Sequence, residues 1–243
     1  MFPGLGTLIN VGAIFIGSSA GVVVGSRLKD RTRELITDVL GLSTLLGAAS
    51  ALIPLWSKRF LTAMPQGWTS LSVIAALITG AIVGSALRIE ERIERFGFFL
   101  RNRFNARSST FIEGFLTASL LFAIGPLAIL GSISDGMSTG IDQLILKSIL
   151  DLFASMAFAS SLGWGVAAAA IPVAIYQSFW TVLGFFLGNV LIGYQVDAMT
   201  ITGGVLLIGI GLRLLRIKNI AVGDLLPAIA FAPIFALLLH SFH

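Results

Sequence analysis

The chain has 243 residues, of which 56% are hydrophobic and 12% are charged, and its mean hydropathy is +0.95. A soluble domain carries about 25% charged residues, so this chain has roughly half the charge that a water-exposed surface requires. The composition excludes an ordinary soluble enzyme, a disordered protein and a coiled coil. It predicts an all-α integral membrane protein, with room for about eight helices at roughly 20 apolar residues per span.

The remaining composition limits the chemistry that the chain can perform. Cysteine is absent, which excludes disulfides and thiolate metal sites, and the only histidines are His240 and His243. The sequence also lacks a nucleotide-binding loop and the motifs of nucleophilic hydrolases. We therefore expect neither an enzyme nor a resident cofactor, and no nucleic-acid partner.

Long apolar runs predict the spans in chain order. They cover residues 5–26, 34–56, 68–88, 111–131, 144–162, 165–193, 199–217 and 221–240. No basic segment precedes the first run, so it is predicted to be a true membrane helix and not a cleaved signal peptide. The sixth is long enough to be tilted or kinked at Pro172.

The basic residues are sorted along these spans. Thirteen of the sixteen follow spans one, three and seven, and only Lys58, Arg59 and Lys147 fall on the opposite side. The positive-inside rule then places both termini outside and the basic clusters in the cytoplasm. We expect a multi-pass protein of a prokaryotic inner membrane, with the lipid bilayer as its first partner.

Residues 89–104 form a separate segment between spans three and four. Apolar Ile89, Ile93, Phe96 and Leu100 recur at helical spacing, with Arg and Glu between them. The pattern predicts a cytoplasmic amphipathic helix at the lipid headgroups, the alternative being an ordinary charged loop.

Two motifs recur along the chain. A Gly-xxx-Gly motif ends three spans, at residues 21–25, 80–84 and 184–188, and the pattern Asp-Leu-x-x-x-x-Ala-Phe-Ala recurs at residues 151–159 and 224–232. Their order predicts a 3+3 inverted-topology repeat of spans three to five and six to eight. Chance is the alternative, since Gly-xxx-Gly also serves close helix packing and contacts between copies of a chain.

The repeat divides the single membrane domain into three segments. They are an N-terminal hairpin at residues 1–66, a first repeat at 67–163 and a second repeat at 164–243.

Acidic side chains within the spans are the first candidates for function, because an ionisable group in lipid is costly. Asp151 and Asp224 occupy matching repeat positions about two turns inside their spans, and a shared central site would bind a cation or relay protons. The alternatives are a local pair of Asp151 with Lys147 and a first-turn role for Asp224 at the helix dipole. The acids Asp135, Asp142 and Asp197 are assigned to outer loops, and Glu90 to the solvated cytoplasmic charges.

Polar groups in the fourth span extend this candidate set. Glu113 and Thr117 are four residues apart and share a helix face, and the later Gly125–Pro126 pair predicts a helix break. A broken helix with an acid and a hydroxyl is a common way to build an ion site, whereas a first-turn acid and a tolerated kink are the alternative.

Three further features complete the set of candidate site residues. Gln177 is the most deeply placed amide, Asn10 is an amide in the first span, and Gly203–Gly204 predicts a second helix break. Small polar residues in spans often serve packing alone, which is the alternative for most of them.

Several strings, in order, resemble a known family. They lie at residues 6–10, 113–119, 125–131, 147–151, 176–177, 209–212 and 217–227. Together they resemble the YqgA-like family of prokaryotic membrane proteins, domain of unknown function 554, over essentially the whole chain. The resemblance implies a sodium channel or pump linked to biofilm formation. The family pattern has Asn where this chain has Arg213 and Asp224, which implies that an ionised group at 224 is not general.

These features predict a transporter of a small ion or solute, coupled to Na⁺ or H⁺ and working by alternating access. Its binding residues would be Asp151, Glu113, Gln177, Asp224, Thr117 and Asn10. One alternative is an oligomeric ion channel that uses the same polar residues. Another is a non-transporting assembly or signalling protein whose Gly-xxx-Gly faces join copies of the chain. Acids that are salt-bridged in a dry core would favour this last alternative.

Overall fold

The structure is a computed structural model that describes residues 2–65, 67–103, 109–124, 126–187 and 191–242, and all regular structure in these ranges is helical. The first helices are α1 (Leu5–Gly25), α2 (Asp30–Leu52) with a following 3-10 turn (Ile53–Trp56), α3 (Lys58–Ala63), α4 (Thr69–Leu87) and α5 (Ile89–Arg103). The middle of the chain forms α6 (Phe111–Ala123), α7 (Pro126–Gly136) and α8 (Asp142–Leu162). The last helices are α9 (Gly165–Ala168), α10 (Ala170–Leu187), α11 (Gly193–Leu214), α12 (Val222–Leu225) and α13 (Pro227–His240).

The prediction of an all-α polytopic helix bundle is confirmed. In the described residues, seven helical segments are long and apolar enough to cross a membrane, and an eighth is present if α6 and α7 form one span. The seven include α9 with α10, and α12 with α13, each as one continuous span. The side of the membrane on which each terminus lies stays a prediction.

The fourth predicted span is bent. Helix α6 ends at Ala123, α7 begins at Pro126, and the two helix axes differ in direction by 63°. The predicted interruption at Gly125–Pro126 falls at this bend, with Gly125 itself outside the described residues. A bend of this kind removes backbone hydrogen bonds from the helix and leaves carbonyl groups for other partners.

The second predicted helix break is wrong. Helix α11 runs without interruption from Gly193 to Leu214, so Gly203 and Gly204 have helical backbone and both are buried. A Cβ placed on Gly204 would lie 3.0 Å from the Cβ of Ala51. Gly204 therefore serves close helix packing.

The chain forms two compact units that are interleaved in sequence. The first unit comprises Met1–Leu40 and Ile93–Val190, and the second comprises Gly41–Arg92 and Leu191–His243. In the first unit α1 packs along α8, with α6, α7 and α10 beside them; in the second, α13 packs against α4 and α11. The predicted segments 1–66, 67–163 and 164–243 describe a sequence repeat, a different kind of division, and stay a prediction.

Glycine determines how closely α1 approaches α8. Three glycines of α1 each face a backbone carbonyl of α8, so that a Cβ at any of them would collide with that oxygen. The pairs are Gly17 with Leu152, Gly21 with Met156 and Gly25 with Ser160. Because the residue numbers rise together, the two helices are parallel. This contact positions every α1 side chain relative to α8.

The other Gly-xxx-Gly motifs also serve contacts within the chain. Gly80 and Gly84 of α4 lie against Ala228 and Asp224 in the second unit, and Gly184 lies against Ile133 in the first. These described glycines therefore serve packing within the chain. The predicted homo-oligomer stays a prediction.

The predicted amphipathic helix is present as α5, from Ile89 to Arg103, and Phe104 lies outside the described residues. Its apolar stripe packs against α6: Leu100 is buried in one cluster with Phe111 and Phe115. This packing accounts for the helical spacing of the stripe. Its placement at the headgroups stays a prediction.

The α1–α8 contact gives a direct test of this packing. We expect Gly21→Ala to destabilise the protein by about 1–3 kcal/mol, because the added methyl group forces the two backbones apart. Gly12→Ala is the matched control, since nothing lies within 4 Å of its Cβ position and alanine favours the helix by up to about 1 kcal/mol. The melting temperature of each purified variant in detergent measures the difference. Equal melting temperatures for both variants would contradict the close contact.

Candidate functional site

The first unit has a polar interior. Among the described residues, eight buried side-chain nitrogen or oxygen atoms have no hydrogen-bond partner, and all eight belong to this unit. They are carried by Thr7, Asn10, Ser18, Thr117, Gln177 and Trp180. Buried polar atoms are nearly always paired in folded proteins, and an unpaired one costs about 1–3 kcal/mol. A concentration of them in one unit makes this interior the candidate functional site.

Two amides are the most exceptional members of this set. Asn10 and Gln177 are both fully buried, and neither the nitrogen nor the oxygen of either side chain has a partner in the described structure. Each side chain brings a carbonyl oxygen that accepts and an NH₂ group that donates. Both were candidates from the sequence, and both are free to coordinate a ligand.

The register of α1 on α8 places Asn10 on the face of α1 that meets α8. Gly6, Asn10 and Gly17 follow one face of α1, at intervals of four and seven residues. Gly6 lies against Leu144 and Gly17 against Leu152. Asn10 lies between these two positions along α1, on the face that meets α8.

Lys147 and Asp151 form a buried ion pair. The Lys147 Nζ donates to Asp151 Oδ2 at 2.6 Å, and the two side chains are 8% and 9% exposed. The ammonium also lies 5.9 Å from the ring centroid of Phe122 on α6, within the range of a cation–π contact. Asp151 is the tenth residue of α8, about 14 Å along the helix at 1.5 Å per residue.

Stability does not explain the burial of this pair. Both residues lie on one helix, so the pair joins no two elements, and such intrahelical pairs contribute about 0.3–0.5 kcal/mol. Removing two charges from water costs several kcal/mol per ion. The order of the residues, Lys before Asp, is also the less favourable one for a pair four residues apart. The desolvation cost of the pair therefore exceeds the stability that its attraction contributes, which is typical of a functional group.

Helix α6 contributes a hydroxyl to the same unit. Thr117 is buried with its Oγ1 unpaired, while the neighbouring Ser119 hydroxyl donates to the Phe115 carbonyl oxygen of its own helix. Glu113, one turn before Thr117, is half-buried in the first turn of α6. The structure therefore places Asp151, Asn10, Gln177, Thr117 and Glu113 in one unit.

Asp135 was wrongly assigned to an outer loop. It is 2% exposed near the end of α7, and its Oδ2 accepts hydrogen bonds from the backbone N–H groups of Gly4 at 3.2 Å and Gly6 at 3.1 Å. The carboxylate thus caps α1 from another helix, where the helix dipole favours a negative charge. The sequence feature that could have shown this position is the apolar run after Pro126, because helix α7 continues from it to Gly136.

A pocket opens beside this cap. Its volume is about 240 Å³, and it is lined by Asp135, Ser138, Thr139, Gly140 and Ile141. Ser138 has a φ of 57°, a left-handed conformation uncommon for a residue with a side chain. The turn therefore holds a carboxylate at the edge of a concave surface.

Asp224 occupies a different position from the predicted one. It belongs to the second unit and lies in the first turn of the short helix α12, not two turns inside a span. Its Oδ1 accepts from the backbone N–H of Glu90 at 2.9 Å. The side chain thus caps the start of α5, a relation between distant segments that sequence spacing does not show.

Glu90 is likewise not a solvated surface charge. Its carboxylate accepts from Arg213 Nη1 at 2.6 Å and from the backbone N–H of Gly223 at 2.6 Å, and the paired side chains are 14% and 17% exposed. Glu90, Arg213 and Asp224 therefore form one hydrogen-bonded cluster within the second unit.

Asp197, a buried carboxylate of the second unit, was also wrongly assigned to a loop. Asp197 is 3% exposed on α11, and its Oδ2 accepts from Arg59 Nε at 2.7 Å while the other carboxylate oxygen accepts from Nη2. The hydrogen bonds and charge of Asp197 raise the pKa of Arg59, which is 62% exposed. Unlike the Lys147–Asp151 pair, this pair joins two elements, as a structural ion pair does.

Comparison with known proteins identifies the family. The family model described as "Protein of unknown function (DUF554)" matches residues 5–237. The chain belongs to this family. It is 27% identical to the "Uncharacterized membrane protein YdfK" of Bacillus subtilis (strain 168), over 98% of this chain and 97% of the relative. It is 28% identical to the "Uncharacterized protein YqgA" of Escherichia coli (strain K12), over 94% of each chain. No solved structure matches.

The resemblance inferred from the sequence is therefore confirmed. The matches extend over nearly the whole chain, and the Bacillus relative is named as a membrane protein. The protein is accordingly a multi-pass membrane protein of the DUF554 family.

Gln177 offers a test of the polar interior. We expect Gln177→Leu to be at least as stable as the wild-type protein in a buffer with choline as the only added cation, because the change removes two unpaired polar atoms worth about 1–3 kcal/mol each. Ser132→Ala is the control, since its hydroxyl is paired with the Ala128 carbonyl oxygen and its loss is expected to cost about 1 kcal/mol or less. Thermal unfolding in detergent measures both. A Gln177→Leu variant that unfolds well below Ser132→Ala would contradict an unpaired amide.

Proposed function

We propose that this protein transports a small ion or solute across the inner membrane of a prokaryote, coupled to Na⁺ or H⁺ by alternating access. The observation that supports the proposal is the set of unpaired amide and hydroxyl groups in the same unit as the buried Lys147–Asp151 pair. A bundle that only needed to be stable would fill these positions with apolar side chains.

The available donors suit a hard cation. Carboxylate, amide carbonyl and hydroxyl oxygens are the ligands that such cations take in proteins. In this proposal Asp151 supplies the charge, while Asn10, Gln177 and Thr117 supply neutral oxygens. Glu113 lies half-buried on α6, the helix that carries Thr117. In this proposal the protein binds and moves the cation without enzymatic chemistry and without a cofactor.

The bent pair α6–α7 supplies the element that would move. Discontinuous helices expose backbone carbonyls at membrane depth, and they are typical of transporters that alternate between two openings. The bend lies in the first unit, a short way along α6 from Thr117. A change in the angle of 63° between the two helices would alter access to Thr117 and its neighbours.

An entry route for the cation begins at Asp135. Asp135 is one of the residues that line the pocket of about 240 Å³, and its carboxylate is bound to the first turn of α1. The next polar residues along α1 are Thr7 and Asn10, both buried and unpaired. A negative charge at the pocket raises the local concentration of cations there.

One observation favours the non-transporting assembly protein. Asp151 is neutralised by Lys147 in a buried environment, which is the state expected of a structural charge. An assembly role does not account for the unpaired amides of Asn10 and Gln177, nor for a pair confined to one helix. We therefore keep it as the second candidate.

Flux through reconstituted protein tests the proposal. We expect proteoliposomes with the wild-type protein to take up ²²Na⁺ or to move protons down an imposed gradient, and Asp151→Asn to reduce that flux at least tenfold because it removes the charge at the site. Asp224→Asn is the matched control and should change the flux less than twofold, since an amide oxygen can still accept from Glu90.

Three results would change the assignment. Unchanged coupled flux in Asp151→Asn would contradict the site, and no flux for either ion would favour the assembly protein. Step-like single-channel currents in planar bilayers would replace alternating access with a channel.

A further inference from the structure

Lys147 is itself a cation bound at Asp151. Its ammonium donates to Oδ2 at 2.6 Å, in the position that a transported cation would need in order to use the same carboxylate. If Asp151 is the charged ligand of the proposed site, then Lys147 and the transported cation compete for it.

The direction of the lysine side chain makes this competition reversible. Side chains on an α-helix lean towards its N-terminus, so Lys147 reaches against that tendency when it extends forward to Asp151. Lys147 is the sixth residue of α8, one turn closer to the start of the helix than Asp151. A lysine released from the carboxylate can therefore swing back towards the helix start and the membrane surface, as long basic side chains near helix ends do.

The pair is also built to separate without loosening the fold. Both partners belong to α8, so breaking the pair detaches no helix from another, in contrast to Arg59 and Asp197, which join α3 to α11. In its paired position the ammonium also lies 5.9 Å from the centroid of the Phe122 ring, within the range of a cation–π contact.

We propose that Lys147 is the tethered counter-ion of the site, and that a monovalent cation such as Na⁺ binds by displacing its ammonium from Asp151. This inference rests on the proposed function. In the resting site Lys147 neutralises the carboxylate, and in the loaded site the bound cation does so. The lysine thus sets the affinity of the site and keeps Asp151 from remaining an isolated buried charge in the unloaded protein.

Binding of ²²Na⁺ to the purified full-length protein in detergent, measured by scintillation proximity, tests this inference. We expect Lys147→Met to bind ²²Na⁺ about tenfold more tightly than the wild-type protein, as for a carboxylate that is free in about a tenth of the wild-type molecules. Lys147→Arg should bind at least tenfold more weakly than Lys147→Met, because a guanidinium holds the carboxylate with two hydrogen bonds. Affinity would therefore fall in the order Met, Lys, Arg.

Two further variants control for folding and for generic charge effects. Lys147→Met/Asp151→Asn removes both charges and should fold but bind no ²²Na⁺ above background, with folding judged by gel filtration. Arg59→Met leaves the buried carboxylate of Asp197 without its cation in the same way, outside the proposed site, and should bind ²²Na⁺ as the wild-type protein does.

The outcomes separate this inference from the proposed function. If Asp151→Asn abolishes binding but Lys147→Met binds no more tightly than wild type, the counter-ion role is wrong and the cation site stands. If Arg59→Met tightens binding as much as Lys147→Met, the effect belongs to any unpaired carboxylate and the inference is also overturned. If no variant binds ²²Na⁺, repeating the series with proton uptake on acidification as the readout tests H⁺ in its place. A blank in both series overturns the cation site itself.

Discussion

The approach of α1 to α8 is the constraint on which the first unit depends. At three positions on α1 the side chain is a single hydrogen, so the helix can rest directly on carbonyl oxygens of its neighbour. Helices in a bilayer gain little from apolar contact with one another, because lipid chains are as apolar as the side chains. Close backbone contact therefore supplies the attraction here, and it also sets the register of α1 on α8.

The polar interior of the first unit lies among these closely packed helices. In a low-dielectric environment an unpaired amide or an ion pair is costly, and the cost is tolerated where the group does something that an apolar residue cannot. The second unit shows the other use of polar residues. There Glu90, Arg213 and Asp224 pair fully with one another and with backbone groups, as polar groups that hold segments in place do. The unpaired buried polar atoms of the described residues thus all lie in the first unit.

Sequence reasoning predicted the helices well because hydrophobic length is a strong signal in a membrane protein. The predicted start of α6 at Phe111 and the end of α8 at Leu162 agree with the structure. It also singled out Asp151, Gln177, Thr117 and Asn10, which are buried in the structure, since polar residues in apolar runs are conspicuous; their role in binding stays a prediction. It failed where a residue's role depends on a partner far along the chain. Asp135 and Asp197 resembled loop residues because their partners are 129 and 138 residues away. Gly203 and Gly204 resembled a break because glycine for packing and glycine for bending look the same in a sequence.

The partnership between α1 and α8 also has a consequence for how the chain is made. Synthesis proceeds at roughly 5–20 residues per second, so the ribosome needs roughly 7–30 s to extend from Gly25 to Leu162. During that interval the glycine face of α1 has no α8 to cover it, and until residue 135 is made its first turn lacks the carboxylate of Asp135. The first span is therefore made before its partner helix, and α1 can form its contact with α8 only after more than half of the chain has been synthesised. Biogenesis, and not only the finished fold, thus depends on the three glycines of α1.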